Sequence, residues 1–203
     1  MNINLENYQL SFLLGIIIWN YFSESTMNSL NSIIGNADLI KKNRIKIFII
    51  PLSSCLSSLF GFIISFAVFL ILGSFFGINL EIYFLIGFIY LIPLILTSVG
   101  TSLILTIVYS YFKDITHMWT FFLLIGFWLT PIVYSEMIFS EAVRKYYMLN
   151  PIARIISHSR NAFLYGYFDL FSQHLVTIII TLSIFFISII VYKKTSKEIV
   201  EKI

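Results

Sequence analysis

Between Lys46 and Glu81 the chain carries no charged residue, and it carries none again between Glu81 and Lys113. Runs this apolar belong in lipid, and a hydrocarbon layer of about 30 Å asks for helices of about 20 such residues. Strand-type alternation is absent, which selects helices over a barrel. Composition agrees: 59% of the 203 residues are hydrophobic and 11% charged, at a mean hydropathy of +0.92, whereas a soluble domain carries about 25% charged residues. The expected fold is an all-α integral membrane bundle of about five transmembrane helices. The expected spans are Tyr8 to Ile33, Ile47 to Leu72, Ile82 to Val108, Trp119 to Tyr134 and Leu175 to Tyr192. The fourth is the shortest.

Charge placement predicts the orientation. With the amino terminus outside, the inner side holds Lys41, Lys42, Arg44, Lys46, Lys113, Lys193, Lys194, Lys197 and Lys202. The outer side holds Arg144, Lys145, Arg154 and Arg160. Nine cations against four favour an amino terminus outside and a carboxyl terminus in the cytosol, by the positive-inside rule. Met1 to Asn7 has no basic n-region and does not read as a signal peptide. An outside terminus then implies either an unaided short tail or an absent preceding span.

Several segments interrupt the apolar pattern. In "GNADLIKKNRIKIFIIP", Asn36 suits a helix N-cap, Asp38 the positive end of a helix dipole, and Lys41 and Lys42 its negative end. With Leu39 and Ile40 as an apolar edge, this reads as a short amphipathic helix on the cytosolic surface, or as a solvated loop that anchors topology. Pro51 falls in the first turn of the next span, where proline is tolerated. Lys113 and Asp114 are adjacent and so need separate partners, and His117 reads as interfacial because no second ligand lies near. Trp119 suits the aromatic belt. Pro93 should kink or loosen the third span. Gly73 and Gly77 form a weak GxxxG. Glu24 reads as a helix-end residue at the inner leaflet edge, and Cys55 as a small packed residue.

From Ser135 to Gln173 no apolar run is long enough to span, yet Met137 to Phe139 and Ile152 to Ile156 are apolar clusters. This region predicts two short outer helices broken at Asn150-Pro151, re-entrant or lying on the outer leaflet. Backbone at that depth must rest on protein or a water-filled cavity. Arg154 and Arg160, six residues apart, do not share a helix stripe. No GxxxxGK[ST] loop, HExxH, Cys/His cluster or close carboxylate pair occurs, so neither nucleotide binding nor catalysis is expected of this chain.

Three stretches taken together resemble the permease subunits of polysaccharide-exporting type 2 ABC transporters, the O-antigen, teichoic-acid and capsule exporters. "FLLGIIIWNYFSES", continued by "SIIGNADLIKKNRIKIFIIPLSS", is similar to the family's Gly-x-x-x-Trp span, coupling segment and proline. "YSYFKDITHMWTFFLLIGFWLTPIVYS" is similar to its Arg-Asp inner turn and Ser-Pro-x-x-Tyr outer end. "LNPIARIISHSRNAFLYG" is similar to its Asn-Pro followed by an arginine. Lys113 stands where the family has Arg, losing the fork geometry, and Thr130 stands where Ser is common. "NRIKIF" replaces a Phe-Pro pattern, so Pro51 is not matched to that proline. The chain starts where the family's second span starts, and the expectation is a single permease domain over residues 1–203 that lacks an amino-terminal cytosolic helix and a first span.

The resemblance implies a non-enzymatic permease in the cytoplasmic membrane that exports a lipid-linked glycan. The partners implied are a second permease copy, membrane lipids and a separate ABC ATPase that holds ATP and Mg; nothing implies nucleic acid. Asn36, Asp38, Leu39, Ile40, Lys41 and Lys42, with Lys113 and Asp114, would couple to the ATPase. Pro131, Tyr134, Asn150, Pro151, Arg154 and Arg160 would form an outer gate. Exporters of a drug or other lipid, or a membrane assembly subunit, are the alternative readings.

Overall fold

A computed structural model of the chain describes residues 5–36, 48–76, 85, 87–134 and 140–202. Among these residues the secondary structure is helical throughout. The elements are α1 (Leu5–Gly35), α2 (Ile49–Phe75), a 3₁₀ turn (Phe88–Tyr90) that runs into α3 (Leu91–Tyr111), α4 (Ile115–Leu129), α5 (Glu141–Tyr147), α6 (Pro151–Phe163) and α7 (Phe171–Lys202).

Among the described residues, three helices are long and apolar enough to cross a membrane: Ile49–Phe75, Phe88–Tyr111 and Phe171–Thr195. The other two expected spans differ from them. Helix α1 is long, at 31 residues, but its second half carries Asn20, Ser23, Glu24, Ser25, Thr26, Asn28 and Ser29. Helix α4 has 15 residues, about 22 Å at 1.5 Å per residue, short of a full hydrocarbon layer. Glu24 is exposed and lies well before the end of α1, which runs on to Gly35. It is therefore not the helix-end residue that the sequence suggested. Pro93 lies in the first turn of α3, just after the 3₁₀ turn, so the span is loosened locally ahead of it and is not kinked at its middle. Pro51 likewise falls in the first turn of α2.

Helices α1 and α2 pack side by side, α3 packs on α7, and α1 joins the two pairs by contact with α3. Lipid-type solvation inverts the usual burial pattern. Phe60, Ile63, Ile64, Ile71 and Phe75 of α2 are left uncovered, whereas Ser25, Thr26, Ser29, Ser98, Ser102 and Thr106 are buried between helices. Small hydroxyl residues let helix backbones approach closely. Several return their protons to the preceding turn, as Thr26 does to Phe22 O at 2.9 Å and Thr106 to Ser102 O at 2.8 Å. Cys55 is a buried free thiol within this seam, 3.2 Å from Ser102 Oγ and 3.4 Å from Ser29 Oγ.

The bundle has two unlike ends. Lys113, Lys193 and Lys194 lie at one; α5 and α6 lie at the other. Helix α6 enters the bundle and is buried on nearly every side, from Ile152 to Phe163. Its apolar residues Ile152, Ile155, Ile156 and Phe163 join the core of α1 and α2, where Phe163 meets Phe66, Phe69 and Phe88 edge-on. Gly87 makes that packing possible, since a Cβ there would lie 2.5 Å from the Phe163 ring. Helix α6 is thus buried within the bundle and is not a surface hairpin.

Candidate functional site

Helix α4 stops at Leu129 because Thr130 turns extended, at φ −94° and ψ 139°, ahead of Pro131. Residues 130–134 then fold back, and side chains from α1 and α6 hold them. Arg160, 7% exposed, donates from Nη1 to Pro131 O at 2.6 Å, from Nη2 to Ile132 O at 2.7 Å and from Nε to Ser11 O of α1 at 3.1 Å. Asn150 caps α6 by accepting from Ile152 N at 2.9 Å, and its Nδ2 donates to Thr130 Oγ1 at 3.1 Å. Tyr8 donates to Val133 O at 2.8 Å, and Tyr134 to Trp128 O at 2.7 Å. Tyr134 Oη also lies 3.2 Å from Tyr147 Oη of α5.

Pro131, Tyr134, Asn150, Pro151 and Arg160 therefore converge on one turn. Asn150-Pro151 breaks the chain between α5 and α6, with Pro151 as the first residue of α6. Helix α1 accommodates the guanidinium at Gly15, where a Cβ would lie 2.8 Å from Nη2. Each charge-assisted bond of this kind contributes about 1.5–3 kcal/mol, so Arg160 ties α1, α6 and the α4 exit into one body.

Arg154 stands apart, on another face of α6 as its spacing from Arg160 requires. It donates from Nε to Met148 O, and from Nη1 to Gln173 O at 3.1 Å and Thr177 Oγ1 at 3.3 Å. On the same stripe of α6, four and seven residues further on, His158 and Asn161 reach Asp169. His158 Nδ1 meets Asp169 Oδ2, and Asn161 Nδ2 donates to both carboxylate oxygens at 2.9 Å. Burial raises the Asp169 pKa, but the hydrogen bonds from His158 and Asn161 outweigh it and hold the carboxyl below the usual range. His158 Nε2 lies 2.9 Å from Thr177 Oγ1 of α7. His174 completes the cluster, 3.0 Å from Tyr90 Oη and 3.1 Å from Asp169 O. Sequence reasoning missed Asp169, His174 and Tyr90 as partners. The Arg154–His158–Asn161 stripe was readable as one polar face, but what it faces comes from two other elements.

At the opposite end, Asn36 closes α1, with Nδ2 donating to Ser32 O at 2.7 Å. Asp38, Leu39, Ile40, Lys41 and Lys42 lie outside the described residues, as do Gly77 of the GxxxG and Met137 to Phe139. Lys113 and Asp114 form the tight turn between α3 and α4, where Lys113 Nζ sits 4.6 Å from the centre of the Tyr109 ring. His117 is exposed, while Trp119 is partly buried and donates to Thr26 Oγ1 at 3.0 Å.

No family model matches the chain. It is 28% identical over 167 residues, and 28% identical over 171 residues, to two proteins of Klebsiella pneumoniae, each named O-antigen export system permease protein RfbA. It is 26% identical over 160 residues to a protein of that name from Myxococcus xanthus. These alignments cover 82%, 82% and 77% of this chain, and the chain spans 64%, 64% and 61% of those relatives. The resemblance to polysaccharide-export permeases is borne out, and with its apolar helices the chain is a multi-pass membrane protein.

Proposed function

We propose that this chain is the permease of an ATP-driven exporter that carries a lipid-linked polysaccharide across the cytoplasmic membrane. The observation that carries the reading is the similarity to O-antigen export permeases along 82% of the chain. The lysine-bearing end faces the cytosol and the α6 end faces outward, in line with the positive-inside count. ATP and its Mg are held by a separate ATPase subunit, which docks on the segment from Asn36 to Lys42 beside Lys113 and Asp114. Two permease copies flank the path.

Geometry supports a gate at the α4 exit. Because Arg160 and Asn150 join α6 to that turn, and Arg160 and Tyr8 join the turn to α1, displacement of α1 carries all three together. Packed helices shift as bodies and do not bend continuously, so a push delivered at the cytosolic end of α1 is transmitted to the α6 end. Pro131, Tyr134, Asn150, Pro151 and Arg160 act as the linkage of the gate, and Arg154 ties it to α7.

The test is to replace Leu39 and Ile40 together with Asp in the complete transporter. The expected outcome is loss of the co-purifying ATPase and of export, with membrane insertion unchanged. Normal export by that variant would sink the coupling role.

A further inference from the structure

Away from the α4 exit, a cluster of ionisable side chains lies beneath the 164–170 segment. We propose that His174 is a single-proton binding site that latches the start of α7 to Tyr90, and that protonating it releases that latch. The inference rests on side-chain geometry and does not depend on the export reading.

His174 is 6% exposed, and its two ring nitrogens have unlike partners. Nε2 faces the backbone oxygen of Asp169 at 3.1 Å. A carbonyl only accepts, so Nε2 carries the hydrogen. Nδ1 faces Tyr90 Oη at 3.0 Å, and in the neutral ring it accepts the phenolic proton. Every polar atom of the pair is then satisfied. A second proton on the imidazole would give Nδ1 a hydrogen too, setting donor against donor. Tyr90 is 5% exposed and, among the described residues, makes no other hydrogen bond, so its displaced proton meets no acceptor there. Burying an unsatisfied donor is costly.

The groups that face the ring carry charges of both signs. From α6, Arg154 and His158 face the cluster; from the 164–170 segment comes Asp169; from the 3₁₀ turn before α3 comes Tyr90. The His158 and His174 rings are 4.8 Å apart between centroids. Asp169 is the one carboxylate in this group, and His158 and Asn161 already occupy both its oxygens. A cation at His174 would therefore sit beside Arg154 and His158 with no carboxylate oxygen of its own. The Phe168 ring, stacked on His174 at 3.8 Å, offsets part of that repulsion but supplies no acceptor. Protonation thus parts the first turn of α7 from Tyr90, while Nε2 stays on the Asp169 carbonyl and the Asp169 carboxylate stays on His158.

The test places a nitroxide at Phe171→Cys, the exposed first residue of α7, in a Cys55→Ser background. The full chain is held in nanodiscs of neutral lipid, and the spectral line shape is followed from pH 8 to pH 5. The expected result is a reversible narrowing as the pH falls. His174→Gln, which cannot titrate, should abolish the pH dependence. Tyr90→Phe removes the donor that holds the ring neutral and should move the midpoint up. A line shape unchanged across the range, or a transition that persists in His174→Gln, overturns the proposal. If His174→Gln does not fold, the Tyr90→Phe titration decides: a midpoint that stays put or moves down refutes it.

Discussion

A methyl group added at Gly15 tests the linkage that joins α1 to the α4 exit. Its Cβ would lie 2.8 Å from Arg160 Nη2, 3.4 Å from Ile132 Cγ2 and 3.5 Å from Ile132 Cα. The guanidinium must retreat, which forfeits the Nη2 bond to Ile132 O and stretches the Nη1 bond to Pro131 O. One to two charge-assisted bonds correspond to about 2–4 kcal/mol. Alanine returns about 1 kcal/mol through its better helix propensity. The net destabilisation of Gly15→Ala is therefore about 1–3 kcal/mol. It is measured by equilibrium unfolding in mixed detergent–SDS micelles, with helicity followed by circular dichroism. Gly61→Ala is the internal control, because nothing lies within 4 Å of a Cβ there, and it should be neutral or stabilising by up to about 1 kcal/mol. In an Arg160→Met background most of the Gly15→Ala cost should vanish, since the displaced bonds are already gone. Equal costs at Gly15 and Gly61, or an undiminished Gly15→Ala cost in Arg160→Met, would refute the account.

Gly87→Ala puts a methyl 2.5–2.8 Å from three atoms of the Phe163 ring. It should destabilise by about 1–3 kcal/mol through overpacking, and the same unfolding assay should show part of that cost relieved by Phe163→Leu. Asn150→Ala removes both the α6 cap and the bond to Thr130, for a loss of about 1–2 kcal/mol. Asn150→Asp keeps the capping acceptor and should lose clearly less in parallel unfolding curves; equal losses would mean the cap is not what Asn150 contributes.

Much of the fold was legible in the sequence because lipid imposes a simple rule: a backbone in hydrocarbon must satisfy itself, so uncharged runs become helices. The segments around Pro51, Pro93 and Thr181 read correctly as long helices, and Asn150-Pro151 read correctly as a break, since proline lacks the donor that a continuing helix needs. What misled was local. Glu24 looked terminal because charge usually marks a helix end in a membrane, yet α1 runs past it. Pro93 looked like a kink because a linear pattern does not show where the 3₁₀ turn hands over to α3.

The sequence by itself determined the membrane class, the helical segments and the break at Asn150-Pro151, because each follows from local pattern and from the cost of burying charge or an unpaired backbone. Only the tertiary structure decided what the buried polar side chains meet. Arg160 finds carbonyls of Ser11, Pro131 and Ile132, and His174 finds Tyr90, across separations along the chain that no local pattern encodes. A guanidinium or an imidazole specifies the partners it needs, but which backbone or hydroxyl supplies them depends on how α1, α3, α6 and α7 pack.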